Sequence, residues 1–354
     1  MIYPEKIQKM ELYQPVTETA AVRLDANESY IPMDESLWDG ITREIRKIPL
    51  HRYPDPAAAE VCRLFGAYCG VSQDCIVAGN GSDELISVII TALLPQGAKL
   101  LVCDPDFAMY RFYAALCECV PVPCDRSLRT ANSGLPVVAK LLELAQSADA
   151  LILSNPCNPT GQGLPRDVML HIIRSVPCLC IIDEAYMDFW DQSVRDEIHR
   201  SDRLIVLKTC SKSIGLAGIR LGFALANPKL AGVLRAVKSP YNVNAVTQAI
   251  GAVVLSQPEI LQNNVSQILE SKKYLYKRLF SWAQTRKGIT LTDTKVNFVL
   301  LTLPDPDGVH QALLARGVAV RKLPGQLRIS AGSREETDAL MAALEQIIIQ
   351  EGKP

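Results

Sequence analysis

The chain has 354 residues, 48% of them apolar, and a formal net charge of −1. That length can bury a large core and points to one big domain with a smaller companion. Interspersed charges leave no basic face for nucleic acid or an anionic membrane, and no apolar run nears the roughly eighteen residues of a membrane span.

Residues 1–45 read as an N-terminal arm that packs with the smaller domain. Met1-Ile-Tyr-Pro-Glu-Lys6 lacks the basic-then-apolar order of a signal peptide, so a cytoplasmic location is expected. Arg23-Leu-Asp-Ala-Asn-Glu28 is a compact polar knot after a short apolar stretch. His51-Arg-Tyr-Pro-Asp-Pro56 reads as a rigid extended turn, because each proline pushes its predecessor out of helical space. Ala57–Tyr68 carries helical periodicity, ended by Gly70. Val77-Ala-Gly-Asn-Gly-Ser-Asp-Glu84 is a glycine loop opening a helix, and the amides of Ser82 and Asp83 would lie in its first turn. Such a terminus attracts anions, although an ordinary capped helix has the same signature.

Strands and helices then alternate. Strands are expected at Lys99–Cys103, Cys119–Val122, Ala150–Ser154, Leu179–Ile182 and Leu204–Leu207, and helices at Phe107–Leu116, Val138–Ala145 and Val168–Ser175. This alternation argues an α/β fold with a mainly parallel sheet covered on both faces, in a large domain over residues 46–240. Residues 241–354 read as a connecting helical stretch, punctuated at Pro258, and a small α+β domain. Eleven cysteines form no Cys-x-x-Cys pair and the four histidines are scattered. Buried free thiols are therefore expected, and no metal site.

In such sheets ligands bind beyond the carboxyl ends of the strands, and the chemically suggestive residues fall there. Lys212, in Lys208-Thr-Cys-Ser-Lys-Ser-Ile-Gly215, sits at a strand mouth among hydroxyls and glycines. A desolvated lysine there can form a Schiff base with an aldehyde cofactor and carry protons. Ser211 and Arg220 would hold a phosphate. Asp183 ends an apolar strand, where a lone carboxylate is costly to bury, and a protonated pyridine nitrogen is the partner that would justify it. Tyr186 and Asn158 can hydrogen-bond a phenolic oxygen on that ring, and Phe107 can stack on its face. Each residue alone has a plain structural explanation; four strand-end loops converging on one cofactor explain them together.

Asn-Pro-Thr-Gly (158–161), Asp-Glu-Ala-Tyr (183–186) and Ser-Lys…Gly-Leu-Ala-Gly-Ile-Arg-Leu-Gly (211–222) closely resemble the motifs of fold-type I, aspartate-aminotransferase-like enzymes. Leu-Asp-Ala-Asn-Glu (24–28), Arg-Tyr-Pro-Asp-Pro (52–56), Gly-Ser-Asp-Glu (81–84), Ser-Pro-Tyr-Asn-Val-Asn (239–244) and the segment from Leu327 to Glu336 look like the histidinol-phosphate aminotransferase family. The resemblance implies a seven-stranded large-domain sheet, pyridoxal 5′-phosphate as cofactor, Lys212 as the catalytic amine, and Thr209 as a further cofactor contact. It also implies a homodimer in which Tyr53 reaches the partner subunit's cofactor phosphate. Arg328 would clamp the substrate anion, with Arg321, Tyr13 and Asn27 on the substrate side. The partners implied are an amino donor, L-histidinol phosphate, and a keto-acid acceptor, 2-oxoglutarate. Threonine-phosphate decarboxylation, aromatic amino-acid transamination and a non-catalytic sensor are alternatives on the same scaffold. A nicotinamide dehydrogenase is disfavoured because no strand is followed by GxGxxG. Phe107 departs from the subfamily's frequent tyrosine, Cys210 and Cys157 replace the usual residues, and the Arg321–Leu327 loop is short.

Overall fold

The computed structural model describes residues 3–8, 20–126 and 135–351. Tyr13 lies outside the described residues. Strand β1 (Val22–Leu24) comes first, followed by β2 (Ile76–Gly79), β3 (Lys99–Asp104), β4 (Val120–Asp125), β5 (Ala150–Ser154), β6 (Leu179–Asp183), β7 (Leu204–Thr209) and β8 (Gly222–Leu225). β9 (Thr290–Thr292), β10 (Phe298–Thr302), β11 (Val318–Leu323) and β12 (Gln326–Ser330) complete the set.

Seven strands form one sheet in the order β2-β8-β7-β6-β5-β3-β4. Within it only β8 runs antiparallel to its neighbours. The central strands are apolar on both sides because helices cover both faces. Their residues divide with period two. Leu101, Leu151, Leu153, Cys180, Ile182 and Val206 join one core, while Leu100, Val102, Ile152, Ile181, Ile205 and Leu207 join the other.

β4 continues through Pro121 and Pro123 to Asp125, beyond the expected end at Val122. It is an edge strand paired only with β3, the position where a sheet tolerates residues lacking an N–H. β2 and β8 lack a strand signal of their own, since each is four residues long and carries a glycine at one end.

A second sheet runs β1-β11-β12-β10-β9. The amino-terminal strand joins it by parallel pairing with β11. The helix Glu35–Lys47 instead buries Leu37 and Ile41 in the core of the seven-stranded sheet. Pro258, at the start of its helix, divides the connecting stretch into helices Ala245–Leu255 and Pro258–Gln284. The second spans about 40 Å at 1.5 Å per residue. It contributes Leu261 to the first core and Leu275, Leu279 and Trp282 to the core under the second sheet. One rigid rod thus connects the two sheets, and the site lies between them.

All eleven cysteines are free, and all but Cys117 are buried. No helix among the described residues is long and apolar enough to cross a membrane.

Candidate active site

The carboxyl ends of β3, β5, β6 and β7 face the second sheet across a cavity of about 550 Å³. Ser82, Asp83, Phe107, Asn158, Asp183, Tyr186, Thr209, Ser211, Lys212 and Arg220 line it on the large-sheet side. Asn27, Arg321 and Arg328 line it on the other. The sequence spreads these residues over about 300 positions, and the topology gathers them.

Asp183 forms the floor. It is the last residue of β6, in register with Ser154 of β5 and Leu207 of β7, and is only 5% exposed. Burial pushes its carboxyl up to about 6, opposed by hydrogen bonds from Tyr110 and from the Ala185 amide. The Tyr110 hydroxyl donates to Oδ2 at 2.8 Å and the Ala185 N–H donates to Oδ1 at 3.0 Å. A cationic ring nitrogen would favour the charged form that burial opposes.

One end of the cavity is built for an anion. Helix Gly81–Leu93 starts without a side-chain cap, so its first-turn amides, including Ser82 and Asp83, lack intrahelical acceptors. Arg220 Nη1 donates to Ser211 Oγ at 3.3 Å, and among the described residues Arg220 has no carboxylate partner. The Thr209 and Ser211 hydroxyls are 3.1 Å apart. Gly222 allows this assembly: a Cβ there would lie 2.3 Å from Ser82 N, a backbone atom. Gly222→Ala should therefore push the helix terminus away. The expected result is a stability loss of about 1–3 kcal/mol with weakened cofactor retention, read by urea unfolding and by cofactor titration of the apoprotein.

Half-buried Lys212 projects into the middle. Its Nζ donates to the Ala26 carbonyl at 3.0 Å and stands 5.8 Å from the centroid of the Tyr186 ring. Tyr186 is fixed in turn by Asn27, whose amide donates to the Tyr186 hydroxyl at 2.9 Å. Asn27 is expected on the substrate side, yet its Oδ1 accepts from Ser330 and its backbone carbonyl accepts from Asn297. Its side chain ties the amino-terminal strand to β12 and to Tyr186.

At the far end Arg328 and Arg321 are cross-strand partners of β12 and β11. Arg328 donates to Asn158 Oδ1 at 2.6 Å and to the Asp25 carbonyl at 2.9 Å. Its guanidinium lies 5.3 Å from the Phe298 ring centroid. Arg328 and Asn158 thus meet directly and bridge the two sheets.

Tyr53 lies elsewhere. It is 79% exposed and stacks on Tyr241 with centroids 4.4 Å apart. Cys157 and Cys210 are fully buried and line no part of the cavity.

Sequence reading missed Tyr110, Asp106 and Ser154. The Asp106 carboxylate accepts from Arg126 at 2.8 Å, from the Phe107 amide at 2.8 Å and from the Ser154 hydroxyl. The Asn158 amide donates to Ser154 Oγ at 3.3 Å. Asp106 therefore joins the loop carrying Phe107 to the loop carrying Asn158. The available signal was a second acid in Asp104-Pro-Asp106 at a strand end.

A strand-end lysine, a buried strand-end carboxylate and an uncapped helix terminus around one cavity define a cofactor-dependent group-transfer site. The family described as Aminotransferase class I and II matches residues 21–344, and the chain belongs to it. It is an aminotransferase. The chain is 35% identical to a histidinol-phosphate aminotransferase of Clostridium kluyveri, over 98% of this chain and 99% of that protein. It is 33% identical to the one of Clostridium novyi, over 95% and 94% respectively. The fold is similar to that of histidinol-phosphate aminotransferase from Sinorhizobium meliloti in complex with pyridoxal-5′-phosphate, with a TM-score of 0.86, 22% identity and coverage of 99% and 98%. It also resembles L-threonine-O-3-phosphate decarboxylase from Porphyromonas gingivalis, with a TM-score of 0.77, 19% identity and coverage of 93% and 99%.

Proposed function

We propose that this aminotransferase holds pyridoxal 5′-phosphate in the cavity and exchanges an amino group between L-histidinol phosphate and 2-oxoglutarate, a step of histidine biosynthesis. The observation that carries the reading is the convergence of Asp183, Lys212 and Arg220 on a single cavity. The names of relatives spanning the whole chain supply the substrate. Residues 46–240, joined by the helix Glu35–Lys47, act as the cofactor-holding unit, and residues 241–354 supply the connecting helices and the smaller unit, whose sheet β1 joins.

Arg220, Ser211, Thr209 and the amides of Ser82 and Asp83 bind the phosphate. Asp183 accepts a hydrogen bond from the ring nitrogen, Phe107 stacks on the ring, and Tyr186 and Asn158 orient its phenolic oxygen. When bound, pyridoxal phosphate withdraws electrons from the bond between the substrate's alpha carbon and its hydrogen. Lys212 Nζ, which reaches into the cavity, would take up that proton and hold it there for return. Arg328 grips the substrate's anionic group and Arg321 supplies a second cation beside it.

The molecule acts as a homodimer. The exposed Tyr53–Tyr241 stack supports this, because two large rings on the surface suit a partner that brings Tyr53 to its cofactor phosphate. The free thiols fit a reducing, cytoplasmic setting.

The test is a visible spectrum of the holoprotein as L-histidinol phosphate is added without keto acid. The cofactor's visible absorbance should fall in proportion to the amine added and return with 2-oxoglutarate. If phosphothreonine or an aromatic amino acid does this while histidinol phosphate does not, the substrate is wrong and the cofactor assignment stands. If the protein takes up no cofactor, the whole reading fails.

A further inference from the structure

Tyr110 lies on helix Met109–Leu116, three residues beyond Phe107, and none of the roles above uses it. Its side chain is completely buried. The ring meets Phe107 edge-on, with centroids 5.6 Å apart and planes at 83°, and the hydroxyl donates to Asp183 Oδ2 at 2.8 Å.

We propose that Tyr110 is a positioning residue that holds Asp183 in orientation and in its ionised form beneath the cofactor's ring nitrogen. The inference rests on the pyridoxal-phosphate reading. The geometry fixes the direction of the bond. A hydroxyl sealed from water beside a carboxylate ionises far less readily than usual, and burial and Asp183 both push Tyr110 well up. Tyr110 therefore remains the donor while Asp183 titrates. With Tyr110 on one oxygen and Ala185 on the other, the carboxylate plane is pinned from two elements. The edge-on packing ties the same ring to the residue that stacks on the cofactor, so one side chain sets both the height of the stack and the angle of the carboxylate.

Other charges around Asp183 are counterbalanced. Asp106 and Glu184 each oppose its ionisation. Asp106 is paired with Arg126 and Glu184 with Lys208 at 3.2 Å. Cys157, facing Tyr110, is a thiol that burial pushes up. Among the described groups named here, Tyr110 is the side chain that donates directly to this carboxylate.

The experiment is cofactor binding to the apoprotein across acidic to neutral pH, for wild type and Tyr110→Phe, with thermal unfolding as a check on folding. Loss of a charge-assisted hydrogen bond should weaken cofactor affinity about tenfold or more. The pH at which affinity falls on acidification should move up by about one unit. In an Asp183→Asn background there is no carboxylate to keep ionised, so Tyr110→Phe should cost little. If Tyr110→Phe does not fold, ring-labelled tyrosine NMR of the wild-type protein carries the test: the Tyr110 resonance should follow the Asp183 titration. The proposal is overturned if the variant keeps wild-type affinity and pH midpoint, if the cost is equal in the Asp183→Asn background, or if the Tyr110 resonance does not titrate. A wild-type protein that binds no cofactor overturns the pyridoxal-phosphate reading itself, a different result from a wild type and variant that bind alike.

Discussion

Lys212→Ala is expected to lower transamination by about 10⁴-fold or more, because one side chain serves as both the cofactor's anchoring amine and the proton carrier. Among the described residues, Lys212 is the lysine that lines the cavity. Lys208, four residues earlier, is buried and held between Glu184 at 3.2 Å and Asp188 at 3.1 Å. It precedes Thr209 on β7, so alternation directs it away from the cavity that Thr209 lines. Ser213 strengthens the division: its hydroxyl donates to the same Asp188 carboxylate, so the residue after Lys212 is anchored to the Lys208 cluster. Lys212 is thereby presented from a fixed base.

Borohydride reduction followed by peptide mapping checks this without relying on turnover. The wild-type protein should carry the reduced cofactor on the peptide containing Lys212, and the variant on none. Label on Lys208 in either protein, or wild-type turnover in the variant, would defeat the assignment.

Much of this site was legible in the sequence, for a physical reason. Asp183, Lys212 and Asn158 are short-range features of strand ends, where an apolar run stops and a polar side chain is committed to the ligand face. The four central strands β3, β5, β6 and β7 showed themselves because they are apolar on both sides and bounded by turns. What escaped depended on distant partners. β8 reads as part of a glycine-rich loop until its pairing with β2 and β7 is known. Tyr110 looks like one more aromatic of an amphipathic helix; its hydroxyl acquires meaning only across 73 residues of sequence. Asn27 carries the same lesson. Its motif drew attention to the residue, but its contacts with Tyr186, Ser330 and Asn297 are tertiary.

Asp183→Asn should trade function for stability in a pH-dependent way. In the protein without cofactor, burial raises the Asp183 carboxyl from its ordinary 3.8 to about 6. The folded state then binds this proton more tightly than the unfolded chain. The stabilisation linked to that proton is fully present below about pH 4 and is lost as pH rises through 6. At pH 8 the lost contribution is about 3 kcal/mol, from roughly two units at 1.36 kcal/mol each. Asparagine keeps an acceptor for Tyr110 but carries no charge. The apo variant should therefore be more stable than apo wild type at pH 8, by up to about that amount less any weakening of the Ala185 hydrogen bond. The advantage should shrink towards pH 4. Cofactor should reverse the order, since a cationic ring nitrogen over the carboxylate favours its charged form beyond what the Tyr110 and Ala185 hydrogen bonds do; turnover of the variant should fall by several orders of magnitude. Urea unfolding of both apoproteins from pH 4 to pH 8, repeated with cofactor, reads all of this. A stability difference that does not change with pH would mean that Asp183 is not the desolvated carboxylate described, and equal stabilisation of both proteins by cofactor would remove it from the ring nitrogen.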